Sequence, residues 1–150
     1  MKICLILSTS RKKIWINDNQ LSKVEAKSAY IGNNFLKARK IAEKFSLDYL
    51  IISAKYGLMD KNTLIENYDK KIKSRKAALE MKNDFKGKLK ELEQNYDKII
   101  LIGGTKYYRM VFEDIKEEKF SFLIVKSQGD LGNKLKNILD SNSLETLLNQ

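Results

Sequence analysis

The chain has 150 residues and contains no histidine, no proline and a single cysteine. The absence of histidine excludes Ser-His-Asp and Cys-His catalysis, imidazole bases and His-ligated zinc. Any catalysis must therefore use Asp, Glu, Lys, Tyr, Ser or backbone groups. Cys4 has no second cysteine to pair with and lies in an apolar run, so we expect a buried, inert thiol. We predict neither a bound metal ion nor a cofactor: without His or paired Cys only oxygen ligands remain, which exclude zinc and leave magnesium as the alternative.

Long hydrophobic runs are also absent. No apolar stretch approaches the roughly 20 residues that span a bilayer, and the apolar start at residues 3–7 is too short for a signal-peptide core. Hydrophobic residues make up 43% and charged residues 32% of the chain, a composition typical of globular proteins. We expect a cytoplasmic protein without a membrane partner, folded as one domain over residues 1–150.

The formal net charge of +10 is concentrated in the first half of the chain. Residues 1–75 contain 16 Lys and Arg against 7 Asp and Glu, whereas residues 76–150 contain 13 against 12. A positive field of this kind attracts phosphates, nucleotides or nucleic acid. The alternative is a basic surface that is simply solvated.

Hydrophobic runs of strand length alternate with longer segments of helical period. This order predicts an α/β fold, a three-layer α/β/α domain with a four-stranded, mainly parallel sheet. The predicted strands are residues 2–7, 49–53, 98–102 and 120–125. The predicted helices are residues 22–45, with Ser22 as N-cap, then 72–92, 105–115 and 131–139, and a short tail at 144–148.

Right-handed crossovers place all four strand-to-helix loops at one edge of such a sheet, where ligands bind. These loops begin at Ser8, Ala54, Gly103 and Lys126. Residues after the first strand that suit a phosphate or a carboxylate are Ser8, Ser10 and Lys12, although their spacing matches no P-loop. A solvated basic loop is the alternative.

The second loop has the most polar side chains. We predict a catalytic role for its lysine, tyrosine and carboxylates, which are Lys55, Tyr56, Asp60, Glu66 and Asp69. We predict that Ser53, Gly57 and Tyr68 bind the ligand, with Gly57 also permitting a tight turn. Carboxylates a few residues apart can act as general acid and base, but surface loops also contain such pairs by chance.

The third and fourth loops combine glycines with the start of a helix, an arrangement that favours an anion. Gly103, Gly104, Tyr107 and Arg109 follow the third strand, and we predict that they bind the ligand. Gly129 and Gly132 are the corresponding candidates in the fourth loop. Tight turns and helix packing explain the glycines equally well.

Taken together, these motifs resemble the uncharacterised bacterial and archaeal domain family DUF6884 over nearly the whole chain. The most specific part is the Ser-Ala-Lys-Tyr-Gly-Leu run at residues 53–58. The other matching residues are Lys12, Ala26, Tyr30, Phe35, Glu66, Tyr68, Asp69, Gly104, Tyr107, Arg109, Gly129 and Gly132. Departures from the pattern are Ser8 in place of a frequent Cys, and Lys61 and Asn67 in place of prolines.

The resemblance implies a family without an established activity. More distantly, the middle segment is similar to the peroxide-stress (YaaA-like) proteins, whose members bind DNA. The layout is similar to uracil-DNA-glycosylase-like domains, an analogy at the level of the fold alone.

We predict a nucleotide- or nucleic-acid-directed α/β domain, and the sequence leaves two alternatives open. One is an enzyme, a hydrolase acting on a nucleobase or its N-glycosidic bond. The other is a non-catalytic module that binds nucleic acid through its basic N-terminal half, with Tyr30, Tyr107 and Tyr108 stacking on bases. Neither composition nor pattern predicts an oligomeric state.

Overall fold

The computed structural model describes residues 1–123 and 127–149. Seven strands lie within these ranges: β1 (Ile3–Ser8), β2 (Val24–Glu25), β3 (Asp48–Ser53), β4 (Gly57–Asp60), β5 (Leu64–Ile65), β6 (Lys98–Ile102) and β7 (Phe120–Phe122). Five of them form one sheet in the order β4-β3-β1-β6-β7, while β2 and β5 pair separately. The described helices are α1 (Ala26–Ala29), α2 (Asn33–Lys44), α3 (Arg75–Asp84), α4 (Lys86–Asn95), α5 (Lys106–Val111), α6 (Gln128–Asp140) and α7 (Glu145–Leu148).

The central sheet is mainly parallel, as the sequence predicts. Strand β1 lies in the middle, with Leu5 opposite Tyr49 of β3 on one side and Ile100 of β6 on the other. Strand β7 extends the parallel set beside β6. The fifth strand, β4, was not predicted; it turns back from β3 and runs antiparallel to it at the sheet edge.

Two hydrophobic cores cover the two faces of the sheet. Because successive strand residues point to opposite faces, Leu5 and Leu7 pack into one core while Cys4 and Ile6 pack into the other. Helices α2 and α6 cover the first face, and α3, α4 and α5 cover the second. This layering confirms the predicted α/β fold. No helix within the described ranges is long and apolar enough to cross a membrane.

The predicted helix at residues 22–45 is wrong in its first half. Val24 and Glu25 form strand β2, a single helical turn follows, and the long helix α2 begins only at Asn33. The chain is extended at Tyr30, which bridges to Lys13, and the Ile31 amide donates to the Lys12 carbonyl. These contacts with the first loop override the helical pattern, so Ser22 is not a helix cap.

The predicted helix at residues 72–92 is two helices, α3 and α4, separated at Phe85 rather than at Gly87. The third predicted helix is shorter than residues 105–115 and begins after Thr105, whose side chain caps it. The last strand is described as far as Phe122. Its predicted end at Val125 and the loop start at Lys126 lie outside the described residues.

Candidate functional site

The strand order creates a crevice at the carboxyl end of β1. The chain leaves β1 for β3 on one side and later returns to β6 on the other, and ligands of open α/β sheets bind at such a switch point. A cleft of about 1300 Å³ opens there. Its floor includes Ser8, at the end of β1, with Ile102 and Gly103 at the end of β6. Its walls come from α2, the start of α6 and the segment at residues 68–72.

The turn after β6 requires glycine. Gly103 and Gly104 both have a positive φ, of 80° and 84°. A Cβ on Gly103 would lie 2.5 Å from Oγ of Ser8, and a Cβ on Gly104 would lie 3.1 Å from the ring of Tyr108. The missing side chains therefore let this turn pack directly against Ser8 and Tyr108 at the floor of the cleft.

The charge of the cleft is strongly positive. Its described lining contains five cations and one carboxylate, Asp69. The five cations are Arg11, Lys13, Lys37, Lys70 and Lys71. They come from the first loop, from α2 and from the segment after β5, so they surround the cleft from several sides. This arrangement concentrates the positive field of the first half of the chain in one concave place.

Three buried or half-buried hydroxyls lie beneath one wall of the cleft. Oγ of Ser53, at the end of β3, donates to the hydroxyl of Tyr68 over 2.9 Å. The Tyr68 hydroxyl is also 2.7 Å from that of Tyr30. Ser53 in turn accepts the amides of Lys55 and Tyr56 over 3.2 and 3.1 Å. This network ties β3 to Tyr30 at the end of α1 and fixes the position of Tyr68, which lines the cleft.

The direction of these hydrogen bonds can be worked out by counting lone pairs. Tyr30 is completely buried, and burial raises the pKa of its phenol, so it keeps its proton and must donate it. Ser53 also lies in range of Tyr30, but its two lone pairs accept amides. Tyr30 therefore donates to Tyr68, which accepts from Ser53 as well. The proton of Tyr68 is left for an acceptor in the cleft.

Lys13 stands over the ring of Tyr68, with Nζ 4.5 Å from the ring centroid. Burial lowers the pKa of Lys13, and the carboxylate of Asp69 partly offsets that shift. Tyr108, which also lines the cleft, has a pKa raised by partial burial, although a hydrogen bond with Thr9 opposes the rise. The cleft thus holds a lysine over the ring of Tyr68 and a second tyrosine in its lining.

Of the predicted residues of the first loop, Ser8 lines the cleft and Ser10 orders the loop. Oγ of Ser10 donates to the Lys12 carbonyl over 2.6 Å and accepts the amide of Gly32 over 3.1 Å. These bonds hold the loop against the start of α2. The exposed side chain of Lys12 lies beside the cleft, in a neighbouring hollow.

Among the residues predicted to be catalytic, the structure places Asp69 in the cleft and the others elsewhere. Lys55 is exposed with its Nζ 5.3 Å from the ring of Tyr56, and the Tyr56 hydroxyl accepts the amide of Glu66 over 3.1 Å. Asp60 ends β4 opposite Leu50, because the hairpin carries it back along β3. None of these four side chains lines the cleft with Asp69, although the ring of Tyr56 lies 5.5 Å from that of Tyr68.

Predicted binding residues separate in the same way. Gly129 and Gly132 line the cleft at the start of α6, and the Gly132 carbonyl accepts Nζ of Lys37 over 3.4 Å. Tyr107 packs against the second core, and the Arg109 guanidinium stacks 4.0 Å from the ring centroid of Phe122. Nε of Arg109 is buried without a hydrogen-bond partner in the described part of the chain.

Sequence reasoning missed several polar residues of the cleft lining, namely Lys37, Lys70, Lys71 and two asparagines of α2. Asn33, Asn34 and Lys37 lie in the first turns of α2, but the helix was predicted to begin eleven residues earlier. Gly32, the N-cap of α2, was the available signal. Lys70 and Lys71 directly follow Asp69 in the second predicted loop, and this proximity was the available signal that they lie near the site.

Within residues 1–123 and 127–149, no three His, Cys, Asp or Glu side chains lie close enough together to hold a metal ion. Buried Cys4 faces the second core, and its thiol has a pKa raised to about 12 by burial. It therefore keeps its proton and plays no part in the cleft.

Fold and cleft together define a doubly wound α/β protein with a basic cleft at the switch point of its sheet. The chain belongs to DUF6884, a family of unknown function whose model matches residues 4–139, as the motifs predict. It is also similar to the "Uncharacterized protein YfjM" of Bacillus subtilis (strain 168). The two are 25% identical over 109 residues, which cover 71% of this chain and 73% of that protein.

Proposed function

We propose that the cleft binds a nucleotide or nucleic acid through its phosphate groups. The observation that carries this proposal is the charge of the described lining, with five cations against the single carboxylate of Asp69. Such a surplus of cations around a concave surface raises the local concentration of anionic ligands and accelerates their binding. The same cations then pair with phosphate oxygens.

Phosphate recognition also needs hydrogen-bond donors at fixed positions, and Tyr68 provides one. Its hydroxyl accepts from Tyr30 and Ser53, so its own proton is available to a phosphate oxygen. The bonded network holds this donor in place before the ligand arrives, which reduces the entropy lost on binding. The nearby turn at Gly103 and Gly104 leaves room for the ligand at the cleft floor.

The size and aromatic content of the cleft support a nucleotide rather than a bare phosphate ion. A volume of about 1300 Å³ is larger than typical small-molecule sites of roughly 300–1,000 Å³. Tyr68 and Tyr108 add aromatic surface to the lining, which a nucleobase can contact. A nucleobase and sugar therefore fit beside the phosphate groups. The expected cytoplasmic location stays a prediction consistent with this ligand.

The test compares two double variants that carry the same change in net charge. K70E/K71E reverses two cations of the cleft, whereas K86E/K90E reverses two exposed lysines of α4, which covers the other face of the sheet. Binding of ATP and of 5′-phosphorylated oligonucleotides is measured by calorimetry at several salt concentrations. We expect K70E/K71E to weaken binding at least about tenfold and K86E/K90E to leave it within about twofold.

Two results would contradict the proposal. Equal weakening by both double variants would mean that ligands bind a diffuse basic surface rather than the cleft. If neither nucleotides nor oligonucleotides bind the protein at low salt, both ligand classes are excluded. Thermal unfolding of each variant shows whether a loss of binding reflects a loss of folded protein.

Asp69 supports a second candidate function, hydrolysis of an N-glycosidic bond. A carboxylate beside a bound nucleotide can stabilise the positive charge that develops on the sugar during cleavage. The Asp69→Asn variant distinguishes the two functions. In an enzyme it abolishes base release while the nucleotide still binds, whereas in a binding module it only removes a repulsive charge and tightens binding. The distant resemblance to uracil-DNA-glycosylase-like proteins stays a prediction.

A further inference from the structure

A second hollow adjoins the cleft and shares two of its cations. It has a volume of about 420 Å³ and is lined by Arg11, Lys12, Lys13, Trp15, Ile16 and Asn67. Arg11 and Lys13 also line the cleft, so the two concave surfaces adjoin at these side chains. A ligand that fills the cleft can therefore extend into the hollow without leaving the basic surface.

The hollow combines apolar surface with a cationic rim. Trp15 lies in a short 3-10 turn, and its indole N–H donates to the carbonyls of Leu21 and Ser22. These bonds and its packing in the first core fix the ring, which is only 5% exposed and forms the buried base of the hollow. The neighbouring Ile16 is 70% exposed, next to three successive cations. An apolar surface bordered by Lys and Arg matches the chemistry of a nucleobase attached to a phosphate backbone.

We infer that the ligand of the cleft is a single-stranded nucleic acid that continues across Arg11 and Lys13 into this second hollow. The inference rests on the proposed function and specifies its substrate class. Phosphates of the strand pair with Arg11, Lys12 and Lys13, and an unpaired base packs on the exposed side chain of Ile16, beside the buried ring of Trp15. In a duplex the bases are stacked and paired, so an isolated hollow with an apolar surface favours an unpaired strand.

The length of the ligand provides the test. Affinity is measured for 5′-phosphorylated oligo-dT and oligo-U from one to about eight nucleotides, and for a duplex of the longest sequence. We expect affinity to rise with length over the first few nucleotides and then to level off. A mononucleotide, which occupies the cleft alone, binds more weakly than the longer strands.

Variants of the hollow locate the extension. Ile16→Ser and Lys12→Ala change residues that line the hollow and not the cleft. Each should weaken the longest strand about five- to tenfold and leave the mononucleotide within twofold. Lys12→Ala should also reduce the salt slope of log affinity by about 0.7, the value for one lost phosphate contact on a single strand. Matched controls are Leu64→Ser, a residue that is 60% exposed elsewhere, and Lys23→Ala.

The outcomes separate this inference from the proposed function. Equal affinity for one and eight nucleotides would contradict the extension of the strand into the hollow, and so would hollow variants that behave like their controls. Neither result would contradict nucleotide binding in the cleft. Tighter binding of the duplex than of the single strand would overturn the substrate class. If even the mononucleotide and the longest strand fail to bind, the proposed function fails, and the inference fails with it.

Discussion

The loop after β6 and the loop after β3 leave the same edge of the sheet, but only the first stays in the cleft. Gly103 and Gly104 line the cleft floor, whereas Lys55 and Tyr56 turn directly into β4. The hairpin pairs Ser53 with Gly57 and removes the following residues from the site. In this sheet, the residues directly after β6 stay at the cleft because a crossover follows that strand, whereas the hairpin after β3 carries Lys55 and Tyr56 out of the cleft lining.

The segment that follows the hairpin returns to the cleft and completes the comparison. Tyr68, Asp69, Lys70 and Lys71 line the wall beside the end of β3. Both regions contain a lysine stacked on a tyrosine, with Lys13 over Tyr68 in the cleft and Lys55 over Tyr56 on the hairpin. The rings of Tyr56 and Tyr68 lie 5.5 Å apart, but only the Lys13–Tyr68 pair lines the cleft, so the two pairs provide matched variants for mutagenesis.

The largest effect is expected on the free energy of unfolding, when Gly57, the first residue of β4, is replaced. Gly57 has φ of 69°, and a Cβ there would lie 2.0 Å from the ring of Phe85. Gly57→Ala should lower the free energy of unfolding by about 3 kcal/mol, from backbone strain and overpacking. Gly87→Ala is the control, because nothing lies within 4 Å and the residue is helical, so about 0.5–1 kcal/mol of stabilisation is expected. Equal denaturant midpoints for the two variants would contradict the packing at Gly57.

A smaller effect is expected when either tyrosine loses its hydroxyl. Tyr68→Phe leaves the protons of Tyr30 and Ser53 without their acceptor, and should reduce the free energy of unfolding by about 2 kcal/mol. It also removes the donor in the cleft and should weaken nucleotide binding about tenfold. Tyr56→Phe loses one exposed bond to the Glu66 amide and should cost less than about 1 kcal/mol. Equal binding by Tyr68→Phe and wild type would show that Tyr68 does not donate to the ligand.

Much of the fold was predictable because the strands are apolar runs flanked by polar segments. Strand β4 was missed because Leu58 and Met59 follow a glycine within a polar segment that resembles a loop. Their strand conformation depends on pairing with β3. The long helix was placed too early because nothing local marks the extended chain at Tyr30. Its conformation depends on contacts with Lys12 and Lys13, which lie nearly twenty residues away in sequence.

The edge that carries the candidate site follows from a parallel sheet, and Ser8, Tyr68, Asp69 and Gly103 were placed at it from sequence alone. Asp60 was included because the polar cluster looks continuous along the chain, and only the antiparallel pairing shows that it moves away. The pairing of Tyr30 with Tyr68 spans 38 residues and has no local pattern. Sequence reasoning thus identified the edge but not which side chains meet there.

Removing one stacked lysine from each region should affect ligand binding rather than folding. Lys13→Ala takes a cation from the cleft, and we expect it to weaken nucleotide binding about tenfold, through the loss of a charge-assisted bond worth roughly 1.5 kcal/mol. Lys55→Ala removes an exposed cation outside the cleft and should leave affinity within twofold. Calorimetric titration of both variants measures the difference. If Lys55→Ala weakens binding as much as Lys13→Ala, the ligand contacts the hairpin and the site is larger than the cleft.

The smallest effect expected is a dependence of binding on alkaline pH that comes from Lys13. Burial lowers the pKa of Lys13 from its ordinary 10.5, so this side chain loses its proton at a lower pH than the ordinary value implies. The protonated form attracts phosphate, hence affinity should be full at neutral pH and fall, by roughly threefold, as pH rises through this lowered pKa. Lys13→Arg keeps its charge throughout and should abolish the decline, whereas Lys70→Arg should not. A decline that persists unchanged in Lys13→Arg would assign the titration to another group and separate Lys13 from the phosphate.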